Sequence, residues 1–295
     1  MKTSTPLPPA TRWLRRLGRH ERLNFFLTNQ VPRRLLTQAM GRLSRSRQPL
    51  LRALSFAVWR RFMDLDLSDA KQDRFDSLHD CFTRELRPGA RPIDRDPAVL
   101  ASPCDAVVGA CGAVDGARLI QAKGLHYTLE ELFAGDPDAA RFRDGSYVTL
   151  RLTAAMYHRF HAPHDLQMHA LTYVGGDVWN VNPAALARVP KLFCRNERAV
   201  IPCTLAAGGH RIALVPVAAI LVAGIRLHAV DVRPHLRTHG VHRIACAARY
   251  AKGQEMGWFE HGSTILVFAP HGFTLAAGIA PGCTVRVGQA LLRLP

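Results

Sequence analysis

The stretch Tyr147-Val-Thr-Leu-Arg-Leu-Thr153 alternates apolar Val148, Leu150 and Leu152 with polar Thr149, Arg151 and Thr153. A two-residue period of this kind marks a strand with one face toward a core. Downstream, Ile212 to Ile225 form the longest apolar run, fourteen residues that include Pro216. The run is too short to span a bilayer and reads as buried strand. Turn signals recur at Gly175-Gly176, Gly208-Gly209, Pro281-Gly282 and Gly288, and both Ser102–Val114 and Phe273–Leu294 read as Gly-punctuated short strands. Two helices interrupt this pattern. One is predicted over 77–87, where Ser77 and Asp80 approximate a capping box and Pro88-Gly89 stops it. The other runs from the N-cap Thr128, with Glu131 three residues on, to Gly135. The sequence therefore predicts an α+β protein with a β-rich body.

Upstream of that body the composition changes. The chain has 295 residues, 48% hydrophobic, and a formal net charge of +16. Residues 1–63 carry Lys2 and thirteen arginines against the single acid Glu21, so thirteen of the sixteen net charges sit there. The near-neutral remainder argues against a uniformly basic nucleic-acid protein. Within 12–63 the sequence predicts two or three short helices broken at Pro32 and Pro49. Leu35, Leu36, Ala39, Met40 and Leu43 share one helical face, and Leu50, Leu54, Val58 and Phe62 repeat the pattern. Arginines border these apolar residues, and Trp13, Phe25, Phe26 and Trp59 lie nearby. Basic amphipathic helices with aromatic residues suit a segment lying in an anionic membrane interface, where each arginine contributes about 1 kcal/mol. The alternative is a helical subdomain docked on the body with solvated arginines. The division drawn is a basic helical segment at 1–63 and a body at 64–295.

Seven cysteines occur, never spaced CxxC, which fits structural thiols in a reducing compartment better than a disulfide framework. No recognisable secretory signal is expected.

Three constellations could carry chemistry. Tyr157-His-Arg-Phe-His161-Ala-Pro-His164 places three histidines within seven residues. No acidic or cysteine partner stands at a ligand spacing, so no metal is assigned. On the residues alone these histidines could be catalytic or structural. His235, His239 and His242 read as surface. Ser102-Pro-Cys-Asp105 holds an acid in a tight turn. Gly262-Ser263 opens the apolar stretch Thr264-Ile-Leu-Val-Phe268. Acid, base and hydroxyl thus appear in the order Asp105, His161, Ser263, which makes a serine hydrolase one reading. The G-x-S-x-G elbow of many such enzymes is absent.

Taken together, these segments resemble the phosphatidylserine decarboxylase proenzymes. The resemblance runs from about Phe82 to Leu294. It rests on Phe82-Thr-Arg-Glu-Leu-Arg-Pro-Gly-Ala-Arg-Pro-Ile93, Ser102-Pro-Cys-Asp105, Gln121-Ala-Lys-Gly124 with Tyr127-Thr-Leu129, Tyr157–His161, Leu192-Phe-Cys-Arg-Asn-Glu-Arg198, and Lys252-Gly-Gln-Glu-Met-Gly257 leading to Gly262-Ser-Thr264. Each segment alone is weak, and their shared order and spacing is specific.

The resemblance implies an enzyme that makes its own cofactor. Ser263 would attack the Gly262 carbonyl, and the chain would divide into a β chain 1–262 and an α chain 263–295 that stay associated. The new N-terminus would become a pyruvoyl group derived from Ser263. Its carbonyl would condense with the amine of phosphatidylserine and take up the electrons left as carbon dioxide departs, yielding phosphatidylethanolamine. Asp105 and His161 match the acid and base that activate Ser263, and His158 matches the histidine of the decarboxylation step. The family suggests a homodimer and a peripheral location on the cytoplasmic face of the cell membrane. This sequence departs from the family pattern at Ala106, where Gly is usual, and at Met156, where an acid is usual. It also lacks a Gly between His161 and Met168, and its 217–224 strand pair is looser. A serine hydrolase would keep an uncut backbone, and a membrane-binding module would turn nothing over.

Overall fold

The computed structural model describes residues 33–63, 65–122, 124–219, 224–232, 234, 240–260 and 263–295. Most of the predicted basic segment, together with His235, His239 and Gly262, lies outside the described residues. In chain order the strands are β1 (Val99–Ala101), β2 (Ala106–Ala113), β3 (Arg118–Ala122), β4 (Leu125–Thr128), β5 (Ser146–Leu152), β6 (Arg159–His161), β7 (Leu166–Gly175), β8 (Arg198–Leu205), β9 (Arg211–Ala218), β10 (Ile225–Leu227), β11 (Gly240–Tyr250), β12 (Glu255–Phe259), β13 (Ser263–Ala269), β14 (Thr274–Leu275), β15 (Thr284–Val285) and β16 (Ala290–Arg293). The helices that bear on the site are α1 (Arg33–Ser44), α2 (Pro49–Phe62), α3 (Leu78–Phe82) and α4 (Leu129–Phe133). The α+β, β-rich reading holds.

An antiparallel sheet of order β11-β7-β8-β9-β13-β5-β2-β15 forms the frame. The predicted strand at Tyr147–Thr153 is β5, and the apolar run begins as β9. Between them lies β13, whose residues Ile265 to Ala269 are fully buried. A strand covered on both faces needs no polar alternation, which is why Thr264–Phe268 reads as continuous apolar sequence. On one face Ile265 and Val267 join Leu150, Phe160 and Phe259. On the other Leu266 and Phe268 join Phe133 and Phe142, with the Phe133 ring edge-on to Phe268 at 5.3 Å. The β8–β9 ladder skips Val215 and Pro216, and the proline has no N–H to give.

A small sheet of order β10-β12-β6 carries the Arg159–His161 motif. The chain passes from β12 to β13 through residues 260–262, so the Gly262-Ser263 bond lies where the chain leaves the small sheet for the large one.

The capping box predicted at Thr128 is present: Thr128 Oγ1 accepts from the Glu131 N–H, and Glu131 Oε2 accepts from the Thr128 N–H. The helix predicted over 77–87 is shorter, ending at Phe82. Its remainder is captured by residues 69–71, where Lys71 N–H donates to the Glu85 carbonyl and Arg87 N–H to that of Asp69. That pairing wins over local helix propensity.

Helices α1 and α2 leave their apolar residues uncovered. Leu50 is 85% exposed, Leu35 66% and Leu54 62%. One side of α2, with Phe56 and Trp59, packs on the body near Phe75 and Cys81, and α1 turns Thr37 and Ser44 inward. Met40, Leu43, Leu54, Val58, Trp59 and Phe82 line a groove of about 460 Å³ between the helices. Among the described residues, no helix is long and apolar enough to cross a membrane.

Candidate active site

Asp105 ends the Ser102–Asp105 turn and is only 6% exposed. The turn is set by the Ser102 hydroxyl, which donates to the Cys104 carbonyl at 2.8 Å. Arg91 holds the Asp105 carboxylate from the side: its Nε lies 3.0 Å from both oxygens and its Nη2 2.6 Å from Oδ2. The Val287 N–H donates to Oδ1 at 2.9 Å. Arg91 also reaches Asp69 at 2.8 Å, so one guanidinium bridges two acids.

His161 ends β6. Its Nδ1 lies 2.9 Å from the Gly253 carbonyl oxygen and its Nε2 3.0 Å from the Tyr157 hydroxyl. A carbonyl only accepts, so the hydrogen bonds assign the proton to Nδ1, and the Tyr157 O–H donates to the Nε2 lone pair. Gly253 has φ +81°, a conformation glycine adopts without penalty. Burial pulls the His161 pKa below 6.5, opposed by the Gly253 bond and by the charges of Glu255 and Asp105. A neutral imidazole with a basic Nε2 results, the form required of a general base.

Asp105 and His161 are brought together without a direct hydrogen bond. The His161 N–H donates to the Pro103 carbonyl at 2.8 Å, two residues from Asp105. The two residues line adjoining clefts that share Leu86, Arg91 and Tyr157. Asp105 therefore acts on His161 through space, its carboxylate engaged by Arg91.

His158 faces elsewhere. It is fully buried, its ring 3.9 Å from that of Phe82, with Nδ1 2.9 Å from the Met156 carbonyl oxygen. Nε2 is buried with no hydrogen-bond partner among the described residues. The contact to residue 156 uses its backbone, so methionine in place of an acid leaves it intact. Loss of solvation lowers the His158 pKa to about 3, against the opposing effect of the Met156 bond. Phe82 stacks in turn on Trp59 at 6.2 Å and lines the groove between α1 and α2. The two histidines thus have different surroundings: His161 lines a polar cleft, and His158 is buried behind Phe82, which lines the apolar groove.

This burial has a consequence in acid. A histidine at its ordinary pKa of 6.5 in the unfolded chain gains a proton on acidification before the folded chain does, so stability is present above pH 6.5 and is lost as pH falls from 6.5 toward 3. The loss approaches about 1.4 kcal/mol per pH unit within that window. Urea unfolding of the wild type at pH 7, 6, 5 and 4 is expected to follow this fall, and His158→Asn to flatten it. Equal slopes in the two proteins would remove His158 as the cause.

Ser263 is the first residue of β13, paired with Leu152 on β5 and Ala218 on β9. Its side chain lies outside the described residues. The chain leaves Leu152, turns through 153–156 and reaches His158, whose carbonyl accepts the Phe259 N–H at 2.9 Å. His158 is thereby tied through its backbone to Phe259, just upstream of residue 260. Thr264, next to Ser263, has a buried hydroxyl with no partner among the described residues. No three His, Cys, Asp or Glu side chains among the described residues converge as a metal site. His164 is structural, its Nε2 2.9 Å from the Pro97 carbonyl oxygen, and His242 lies half-buried on β11.

Sequence reasoning assigned no role to Arg91 or Tyr157. Tyr157 stands beside the histidine motif, where a hydroxyl four residues before a base is a usable signal. Arg91 lies fourteen residues from Asp105 in sequence, and only the fold brings them together.

Residues 78–293 match the sequence model of the phosphatidylserine decarboxylase family. The phosphatidylserine decarboxylase proenzyme of Halorhodospira halophila is 40% identical over 272 residues, covering 90% of this chain and 91% of the relative. The proenzyme of the same name from Anaeromyxobacter sp. is 37% identical, covering 92% and 98%. That from Psychrobacter arcticus is 34% identical, covering 91% and 98%.

Proposed function

Because this chain belongs to the phosphatidylserine decarboxylase family, we propose that it is a proenzyme that cuts itself between Gly262 and Ser263 and then converts phosphatidylserine to phosphatidylethanolamine and carbon dioxide at an anionic membrane surface. One observation carries the self-processing reading. The 260–263 connection runs between two anchored strands, with the neutral His161 and the buried His158 on the adjoining small sheet and its entry.

The steps balance without an added reagent except water. The Ser263 hydroxyl oxygen adds to the Gly262 carbonyl carbon, the amide C–N bond breaks, and an ester forms with the amine of residue 263 released. His161 Nε2 accepts the hydroxyl proton, and the nearby Asp105 carboxylate favours the imidazolium that results. Loss of the α-proton of residue 263 breaks the Cβ–O bond and leaves the Gly262 carboxylate as the end of the β chain. Water then displaces ammonia from residue 263, giving the pyruvoyl carbonyl.

The residues present fit that group. It would head β13, held by backbone pairing to Leu152 and Ala218, and His158, whose buried Nε2 has no hydrogen-bond partner among the described residues, follows six residues after Leu152 in the chain. The pyruvoyl carbonyl would supply an electron sink for decarboxylation. His158 holds or moves a proton at Nε2, shielded from water by Phe82. The β and α chains stay associated because the α chain contributes β13, a central strand of the large sheet.

Uncovered leucines on α1 and α2, beside Arg42, Arg47, Arg52 and Arg60, support peripheral contact with an anionic leaflet, on the cytoplasmic face as in the family resemblance. Burying one leucine contributes about 1.5–3 kcal/mol, at least tenfold in binding. Leu50→Glu with Leu54→Glu is therefore expected to cut sedimentation with phosphatidylglycerol vesicles by tenfold or more, with the circular dichroism spectrum kept. Unchanged sedimentation would remove these helices as the contact. The homodimer suggested by the resemblance is tested by light scattering.

Phosphatidylserine vesicles labelled at the serine carboxyl test the function. Equal amounts of carbon dioxide and phosphatidylethanolamine are expected. Release of free serine or fatty acid instead would point to a hydrolase.

A further inference from the structure

Glu260 stands two residues ahead of the proposed cut and is a buried carboxylate, 8% exposed. Its Oε1 accepts from Arg226 of β10, with Nε at 3.1 Å and Nη2 at 3.0 Å. Its Oε2 accepts from Arg45, just past the end of α1, at 2.9 Å. Its backbone N–H donates to the Gly224 carbonyl at 2.9 Å. Gly224 leaves the room this needs, since a Cβ there would stand 2.8 Å from Oε2. The preceding residue, Phe259, is tied to the His158 carbonyl. No step of the chemistry above uses Glu260, yet two distant parts of the chain, Arg45 and the 224–226 segment, converge on it.

We propose that Glu260 is a positioning residue for self-processing, and that Arg45 couples the seating of α1 to it. The proposal rests on the self-processing reading. Attack by Ser263 needs the Gly262 carbonyl held at a fixed approach, and small misplacement of a reacting group is costly in rate. Downstream, residue 263 is fixed by two strands. Upstream, the Glu260 carboxylate and N–H provide the matching anchor, leaving only residues 261 and 262 between the two. A carboxylate held by two guanidinium groups is directional, which a buried apolar residue at 260 would not be. Because Arg45 belongs to the helical element with the uncovered leucines, the anchor is complete only when that element is seated on the body.

Pulse-labelled full-length chain, followed from the uncut to the cut form by mass, tests this. Glu260→Ala is expected to slow cleavage at least tenfold, and Glu260→Gln, which keeps the shape and accepting oxygen, to recover part of the rate. Arg45→Ala is expected to slow cleavage, and Arg45→Lys to restore it. Gly224→Ala, which crowds Oε2 without removing a charge, is expected to slow it as well. Each variant is also made with Ser263→Ala, and its thermal midpoint is measured on the uncut chain. Slow cleavage with an unchanged midpoint supports positioning. Slowing that appears only where the midpoint collapses, or Glu260→Ala cutting at the wild-type rate, overturns it. An uncut wild-type chain overturns the self-processing reading instead.

Discussion

Ser263→Ala is expected to remain a single 295-residue chain and to release no carbon dioxide from phosphatidylserine. The substitution removes one oxygen and keeps the backbone that pairs with Leu152 and Ala218, so the sheet should form as before. In the proposed mechanism this removes both the nucleophile and the atoms from which the carbonyl cofactor would be made. The effect is therefore total, unlike the partial losses typical of removing a general base. Mass spectrometry reads the first half of the prediction and carbon dioxide release the second. A Ser263→Ala protein that still divides at residue 262 would show that another group breaks the bond.

His158→Ala is expected to separate the two chemistries. Its ring is buried against Phe82 and its Nε2 bonds to nothing among the described residues. The proposed function gives this nitrogen a proton to handle during decarboxylation. The variant is expected to divide into two chains and then to turn over about 10²–10⁴-fold more slowly, the usual contribution of a positioned proton carrier. The loss should fall on kcat more than on KM if His158, as proposed, handles a proton in the reacting state and does not anchor the lipid. His161→Ala should do the reverse and hold the chain uncut. If His158→Ala blocks cleavage while His161→Ala does not, the two roles are exchanged.

Much of the frame was legible in the sequence because each clue was local. Alternation over Tyr147–Thr153 is a backbone period, and the Thr128–Glu131 box is a contact across three residues. The helix at 77–87 was overread because its second half answers to residues 69–71, a partner that helix signals do not reveal. At the site, the motif around Tyr157 located both histidines but could not say that they face different surroundings. That depends on the backbone bending before β6, with His158 turned to Phe82 and His161 to Gly253. Arg91, fourteen residues from Asp105, and Arg45, 215 residues from Glu260, became visible only through the fold. The amphipathic pattern of α1 and α2 was readable, but whether the leucines meet a core or stay uncovered was not, because period alone does not name the partner.

The most direct test of the account is the intact mass of the purified wild-type protein under native-purification conditions. Two associated chains are predicted, one ending at Gly262 and one of the last thirty-three residues with an N-terminus blocked to Edman degradation. A single uncut chain of 32.6 kDa that nonetheless acts on phosphatidylserine would contradict it.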